Sequence, residues 1–156
     1  MHRPKSEPEA PGRSGLAADV YRPLGDFRMA LREFLAFSEA GAREHGLTSQ
    51  QHQALLAIKA HDGAGPITVS ELADRLLIKT HSAVGLVARL IERDFLERRA
   101  SSTDRRRVQL ILRPPGEAVL EKITLANLSQ LEAVALDLGE LLRTARQLQR
   151  EAGRPR

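Results

Sequence analysis

The sequence predicts a mainly α fold carrying one small β-hairpin, and three observations predict it. Residues 98–113, RRASSTDRRRVQLILR, place an arginine-dense turn ahead of a strict alternation: Val108, Leu110 and Leu112 face one way, Gln109, Ile111 and Arg113 the other. Two short amphipathic segments joined by a tight turn come directly before that hairpin. Longer segments with apolar residues at three- and four-residue spacing flank the whole on both sides.

In order along the chain, residues 1–18 hold Pro4, Pro8 and Pro11 among charged and small residues, a disordered tail by composition ahead of a single domain over 19–151. Leu24, Phe27, Leu31, Phe34 and Leu35 recur at helical spacing and predict a first helix over 24–46, stopped at Gly46. Thr48 followed by Gln51 reads as a capping box that opens a second helix through Leu55 and Ile58 to about His61; Gly63, Gly65 and Pro66 break it. Ile67-Thr68-Val69 is short and β-prone, and Thr68 with Glu71 forms a second box opening SELADRLL, with Leu72, Ala73 and Leu76 inward. After a turn at 77–79, THSAVGLVARLIERD predicts a fourth helix with Val84, Val87 and Leu90/Ile91 inward. Pro114-Pro115-Gly116 fits a helix start with proline in its first turn. From Glu117 to about Gln149 the spacing gives one long helix or two consecutive ones, bent near 137–139, and residues 151–156 are expected to fray.

Two short helices, a tight turn and a hairpin form the order of a winged helix-turn-helix, here spanning 48–113. The flanking helices, 24–46 and 115–150, are more apolar than so small a core can cover. Burial against a second copy is therefore expected, which makes them dimerisation helices of a homodimer.

Composition removes other classes. The chain of 156 residues has no cysteine, so disulfide scaffolds, thiolate metal sites and thiol redox switches are out. No apolar run approaches the roughly twenty residues of a membrane span, and residues 1–18 lack a secretory apolar core, so a cytoplasmic location, and no membrane partner, are expected. Aromatics make up 3%, with no Trp, too few for a platform that stacks single-stranded bases. No phosphate loop and no Ser/His/Asp or Cys/His constellation is legible, so no enzyme and no cofactor is expected. None of the histidines, His2, His45, His52, His61 and His81, pairs with another at i, i+4, so no metal site is read either.

Charge points to a polyanion. The chain carries +4 overall, and residues outside 67–113 contribute 14 basic and 14 acidic side chains, so the whole excess lies in the expected winged core. Within 98–113, Arg98, Arg99, Arg105, Arg106, Arg107 and Arg113 face one acid, Asp104. Arginine's planar fork suits phosphate and a narrow minor groove better than lysine does. With Val84, Val87 and Ile91 buried, the fourth helix offers Ser82, Gly85, Leu86 and Arg89 outward, and Thr80 and His81 at its start. Ser82, Ala83 and Gly85 are small enough for close approach, Thr80 and Ser82 can bond phosphate or base edges, Arg89 can reach phosphate or guanine, and Leu86 can touch a thymine methyl. Double-stranded DNA is the expected partner.

From Leu47 to about Leu120 the chain resembles the MarR family of bacterial transcriptional regulators, through LTSQQHQALLAI, VSELADRL, HSAVGLVARLIERDFLERR and TDRRRVQLIL followed by Gly116. The resemblance implies a dimeric winged-helix regulator, commonly a repressor that releases a palindromic site on binding a small molecule. Its wing motif falls on Asp104-Arg105-Arg106: the arginine equivalent to Arg106 enters the minor groove, the equivalent of Asp104 holds the turn, and Ser102, Thr103, Arg105 and Arg107 lie beside them. Asp94 stands where the family usually has glycine, and aspartate tolerates the left-handed conformation better than most residues. The resemblance also places an effector pocket where the first two helices meet the post-wing helix, making Arg32, Phe34, Phe37, His45 and His52 candidates for a small aromatic or amphipathic acid. The alternative is a winged-helix protein-interaction or architectural DNA-binding module without ligand response.

Overall fold

The computed structural model describes residues 18–62, 65–100 and 108–152. The expected tail over 1–18 lies, but for Ala18, outside the described residues, as does the tip of the hairpin.

Among the described residues, six helices and one hairpin follow in the expected order. Helix α1, Ala18–Glu44, starts earlier than the spacing predicts, because Pro23 sits within it rather than ahead of it. A proline forfeits one backbone hydrogen bond, and here its ring is buried. Gly46, at φ +70°, closes α1, and Leu47 N–H then donates back to the Ala42 carbonyl at 2.8 Å.

Both capping boxes form. At the start of α2, Ser49–Lys59, the Thr48 N–H donates to Gln51 Oε1 (2.9 Å) and the Gln51 N–H to Thr48 Oγ1 (3.2 Å). At α3, Val69–Leu76, the Thr68 N–H donates to Glu71 Oε2 (2.8 Å) and the Glu71 N–H to Thr68 Oγ1 (3.3 Å). A three-residue turn separates α3 from α4, Thr80–Glu92. Its first residue, Leu77, takes the left-handed conformation at φ +54° with its side chain 93% exposed.

After α4, Asp94 adopts φ +61°, as expected of an aspartate in a glycine position. Strands β1, Leu96–Ala100, and β2, Val108–Leu112, pair antiparallel from Leu96↔Leu112 to Ala100↔Val108. The β-prone segment ahead of α3 joins them: Leu110 N–H donates to the Ile67 carbonyl at 2.8 Å, and Thr68 bridges to Gln109. The hairpin is thus tied to the start of α3 as well as to the end of α4.

Helix α5, Pro114–Leu128, begins at the paired prolines. The break before α6, Leu131–Ala152, falls at 129–130 instead of 137–139. Gly139 is accommodated inside α6. The end of α5 is instead pinned by the buried Asn127, whose Nδ2 donates to Ser38 Oγ of α1 at 2.9 Å, and the Ser129 hydroxyl donates to the Ala126 carbonyl at 2.6 Å.

The core gathers Leu47, Leu55, Ile58, Ile67, Leu72, Leu86, Val87, Leu90, Leu96, Leu110, Leu120 and Ile123 from α2–α4, both strands and α5. Helix α1 reaches this core at Ala42 and otherwise packs along α6 and against α5.

Candidate nucleic-acid interface

Helix α4 buries Ala83, Leu86, Val87 and Leu90. The phase differs from the expected one by about one residue. Ala83 (0% exposed) and Leu86 (2% exposed) belong to the core and are withdrawn as DNA contacts, whereas Val84, expected inward, is 46% exposed. The stretch A-V-G-L-V-A-R-L-I supports two apolar stripes, and the one carrying Leu86 and Leu90 wins because those side chains reach further into the space between α2, α3 and the strands.

The outward face then consists of Thr80, His81, Ser82, Val84 and Arg89, all exposed, with Gly85 and Ala88 half-buried between them. From Thr80 to Ile91 it contains no acid. No side chain caps α4, unlike α2 and α3, where threonine does so. An added Cβ at Gly85 would meet nothing nearer than the Arg89 guanidinium at 3.9 Å.

Beside α4, the hairpin divides its arginines by role. Arg113 turns to the base, with Nε 3.0 Å from Asp94 Oδ1 and a guanidinium nitrogen 4.0 Å from Glu97 Oε2. Arg99 pairs with Glu97 Oε1 at 2.5 Å. Arg98 is exposed and has no ion-pair partner among the described residues. The expected tip contacts, Ser102, Thr103, Asp104, Arg105, Arg106 and Arg107, lie outside the described residues.

Arg93 was not singled out by the sequence, yet it fixes the end of α4. Its guanidinium donates to the Gly46 carbonyl and lies 4.7 Å from the centre of the Phe95 ring. One side chain thus holds the α1–α2 turn, the end of α4 and the entry to β1 together.

The effector candidates occupy unlike environments. Arg32 and Phe37 are exposed on α1 and Phe34 is half-buried. His45 is exposed, its Nδ1 donating to the Gly41 carbonyl at 2.9 Å. His52 is buried, its Nε2 has no hydrogen-bond partner, and burial lowers its pKa below the usual histidine value. Ser38 and Asn127 are buried polar residues that the apolar periodicity could not distinguish from core positions; Asn127 Oδ1 is likewise unpaired. Among the described residues no three His, Asp or Glu side chains gather as a metal site, and no helix is long and apolar enough to cross a membrane.

A helix-turn-helix backed by an arginine-rich two-stranded hairpin is the winged-helix arrangement, with no acid on α4 between Thr80 and Ile91. Within the chain, residues 45–107 match the model of the MarR family. Three solved structures share the fold. The MarR-family transcriptional regulator AbsC from Streptomyces coelicolor is 17% identical, with 88% of this chain and 95% of that one covered, at a TM-score of 0.64. MepR, a transcription regulator of the Staphylococcus aureus multidrug efflux pump MepA, is 20% identical over 85% and 96% of the two chains, at 0.63. A MepR mutant from the same organism, bound to an oligodeoxyribonucleotide, is 19% identical over 86% and 98%, at 0.60. No curated protein matches the chain.

Proposed function

We propose that this protein is a cytoplasmic, sequence-specific regulator of transcription that binds a palindromic duplex as a homodimer, each protomer laying α4 in a major groove and its hairpin tip in the flanking minor groove. The observation that carries the proposal is the charge distribution around α4. Its outer face lacks acids from Thr80 to Ile91, the neighbouring hairpin is arginine-rich, and residues 67–113 hold the chain's entire excess of +4. On this reading Thr80 and Ser82 bond phosphates or base edges, His81 and Gly85 face the groove, and Arg89 reaches phosphate or guanine. Arg106 enters the minor groove, Arg105 and Arg107 contact phosphates, and Ser102, Thr103 and Asp104 shape the tip.

Support for the homodimer comes from burial. Leu125 is 63% and Leu136 68% exposed, and Met29, Leu35, Leu128 and Leu142 are also open on α1, α5 and α6. Such a surface on three neighbouring helices fits covering by a second copy. The proposal includes a repressor released by a small aromatic or amphipathic acid near Arg32, Phe34, Phe37, His45 and His52. The unpaired His52 Nε2 supports a polar ligand group there. A thermal-shift panel of such acids tests that part.

Selection of bound duplexes from a random pool, repeated at two salt concentrations, tests the whole. The expected outcome is a palindromic consensus with half-site centres about one helical turn apart. Enrichment without a consensus would instead mark an architectural DNA-binding module, and no enrichment a protein-interaction module.

A further inference from the structure

Two residues on the outer face of α4 run against what a solvated helix would hold. Val84 is apolar, β-branched and 46% exposed. Its neighbour Gly85 lies mid-helix with a helical backbone, and a Cβ there would have ordinary room, so neither conformation nor packing requires glycine. Glycine weakens a helix relative to alanine, and an exposed valine adds nothing to the core. The two departures are adjacent: Gly85 lies opposite the buried stripe of Ala83, Leu86, Val87 and Leu90, and Val84 at its exposed edge, one turn from Val87.

Resting on the DNA-binding reading above, we infer that Val84 is a specificity residue that recognises a thymine methyl, with the Gly85 notch letting the helix backbone come close to that base pair. Valine has no donor or acceptor and cannot read a hydrogen-bonding edge. In the major groove the one apolar group on offer is the thymine C5-methyl. The flanking residues supply what valine lacks: Ser82 and Arg89 fix the helix on phosphates and polar edges, while Val84 sorts thymine from cytosine at one position. Leu86, the residue the sequence points to for this contact, is sealed in the core.

The test uses the full chain and a duplex obtained by selection, with each thymine replaced in turn by deoxyuridine in both half-sites. Loss of one methyl contact is worth about fourfold in affinity, so about 15-fold for the two half-sites together. One thymine position is expected to show that loss with the unaltered protein, and Val84→Ala is expected to bind the thymine and uridine duplexes alike. Gly85→Ala is expected to melt higher than the unaltered protein and to bind the thymine duplex at least tenfold more weakly. The inference is overturned if no thymine matters more to the unaltered protein than to Val84→Ala, or if Gly85→Ala binds undiminished. If no thymine methyl matters to the unaltered protein, the inference fails whether or not a variant folds. A protein that retains a consensus duplex but ignores the methyl removes this inference alone; one that retains no duplex removes the DNA-binding reading with it.

Discussion

Replacing Gly116 by alanine tests how the winged core is joined to the flanking helices. Gly116 is buried in the first turn of α5, and a Cβ there would lie 2.3 Å from the Phe95 carbonyl oxygen and 3.1 Å from the Phe95 Cα and carbonyl carbon. Ordinary contact between carbon and a neighbouring heavy atom begins nearer 3.5 Å, so about 1 Å must be recovered by moving backbone against backbone. The Phe95 carbonyl is not free to yield, since it accepts from the Arg113 N–H at 3.0 Å and so closes the hairpin onto α5. Overpacking typically costs about 1–3 kcal/mol, and two rigid backbones place this site at the upper end. For a chain of this size about 3 kcal/mol corresponds to a fall of roughly 6–12 °C in Tm. The assay is thermal denaturation by circular dichroism at fixed protein concentration, with Gly25→Ala as the control. An added Cβ at Gly25 meets nothing within 4 Å, so that variant is expected to gain about 0.5–1 kcal/mol. If Gly116→Ala melts with or above the unaltered protein, the reasoning about this junction is refuted.

Other perturbations follow from the same geometry. Thr48→Ala and Thr68→Ala each remove the side-chain half of a capping box and are expected to lower stability by about 1 kcal/mol, read as additive shifts in a denaturant titration. Leu77→Gly relieves a left-handed leucine that buries nothing, and is expected to raise stability by about 1 kcal/mol; a lower Tm would show that Leu77 is held by contacts its exposure conceals. Burial lowers the pKa of His52, so the folded protein binds fewer protons there than the unfolded chain. Its contribution is present above about pH 6.5 and is lost as pH falls through the folded-state pKa. Stability measured between pH 7.5 and 5 should therefore fall less steeply for His52→Gln than for the unaltered protein.

Where short-range chemistry decides, the sequence was a sufficient guide. The capping threonines, the Pro-Pro helix start and the left-handed Asp94 each depend on a few neighbouring residues, and each appears where the pattern puts it; β2 also forms, but of its alternating apolar residues only Leu110 is buried and Val108 is exposed. The misses depend on contacts between distant elements. Residues 83–91 carry two overlapping apolar stripes, and the choice between them belongs to the cavity that α2, α3 and the strands present to Leu86 and Leu90. The break after α5 follows from Asn127 meeting Ser38, 89 residues away, which no local pattern announces. Pro23 misleads in the opposite sense, since one lost hydrogen bond does not end a helix whose proline ring is buried. For the interface, the exposed threonine, histidine, serine and arginine of α4 were legible as polar residues; which apolar residue shares their face was not.

The central claim is that this protein binds duplex DNA with Arg105 and Arg107 of the hairpin on its phosphates, and the salt dependence of affinity tests it most directly. For a dimer on its selected duplex, each phosphate contact contributes about 0.9 to the slope of log K against log salt. Replacing Arg105 and Arg107 by alanine removes four such contacts from the dimer, so the slope should become shallower by about 3–4 while the selected consensus stays the same. An unchanged slope would contradict the account.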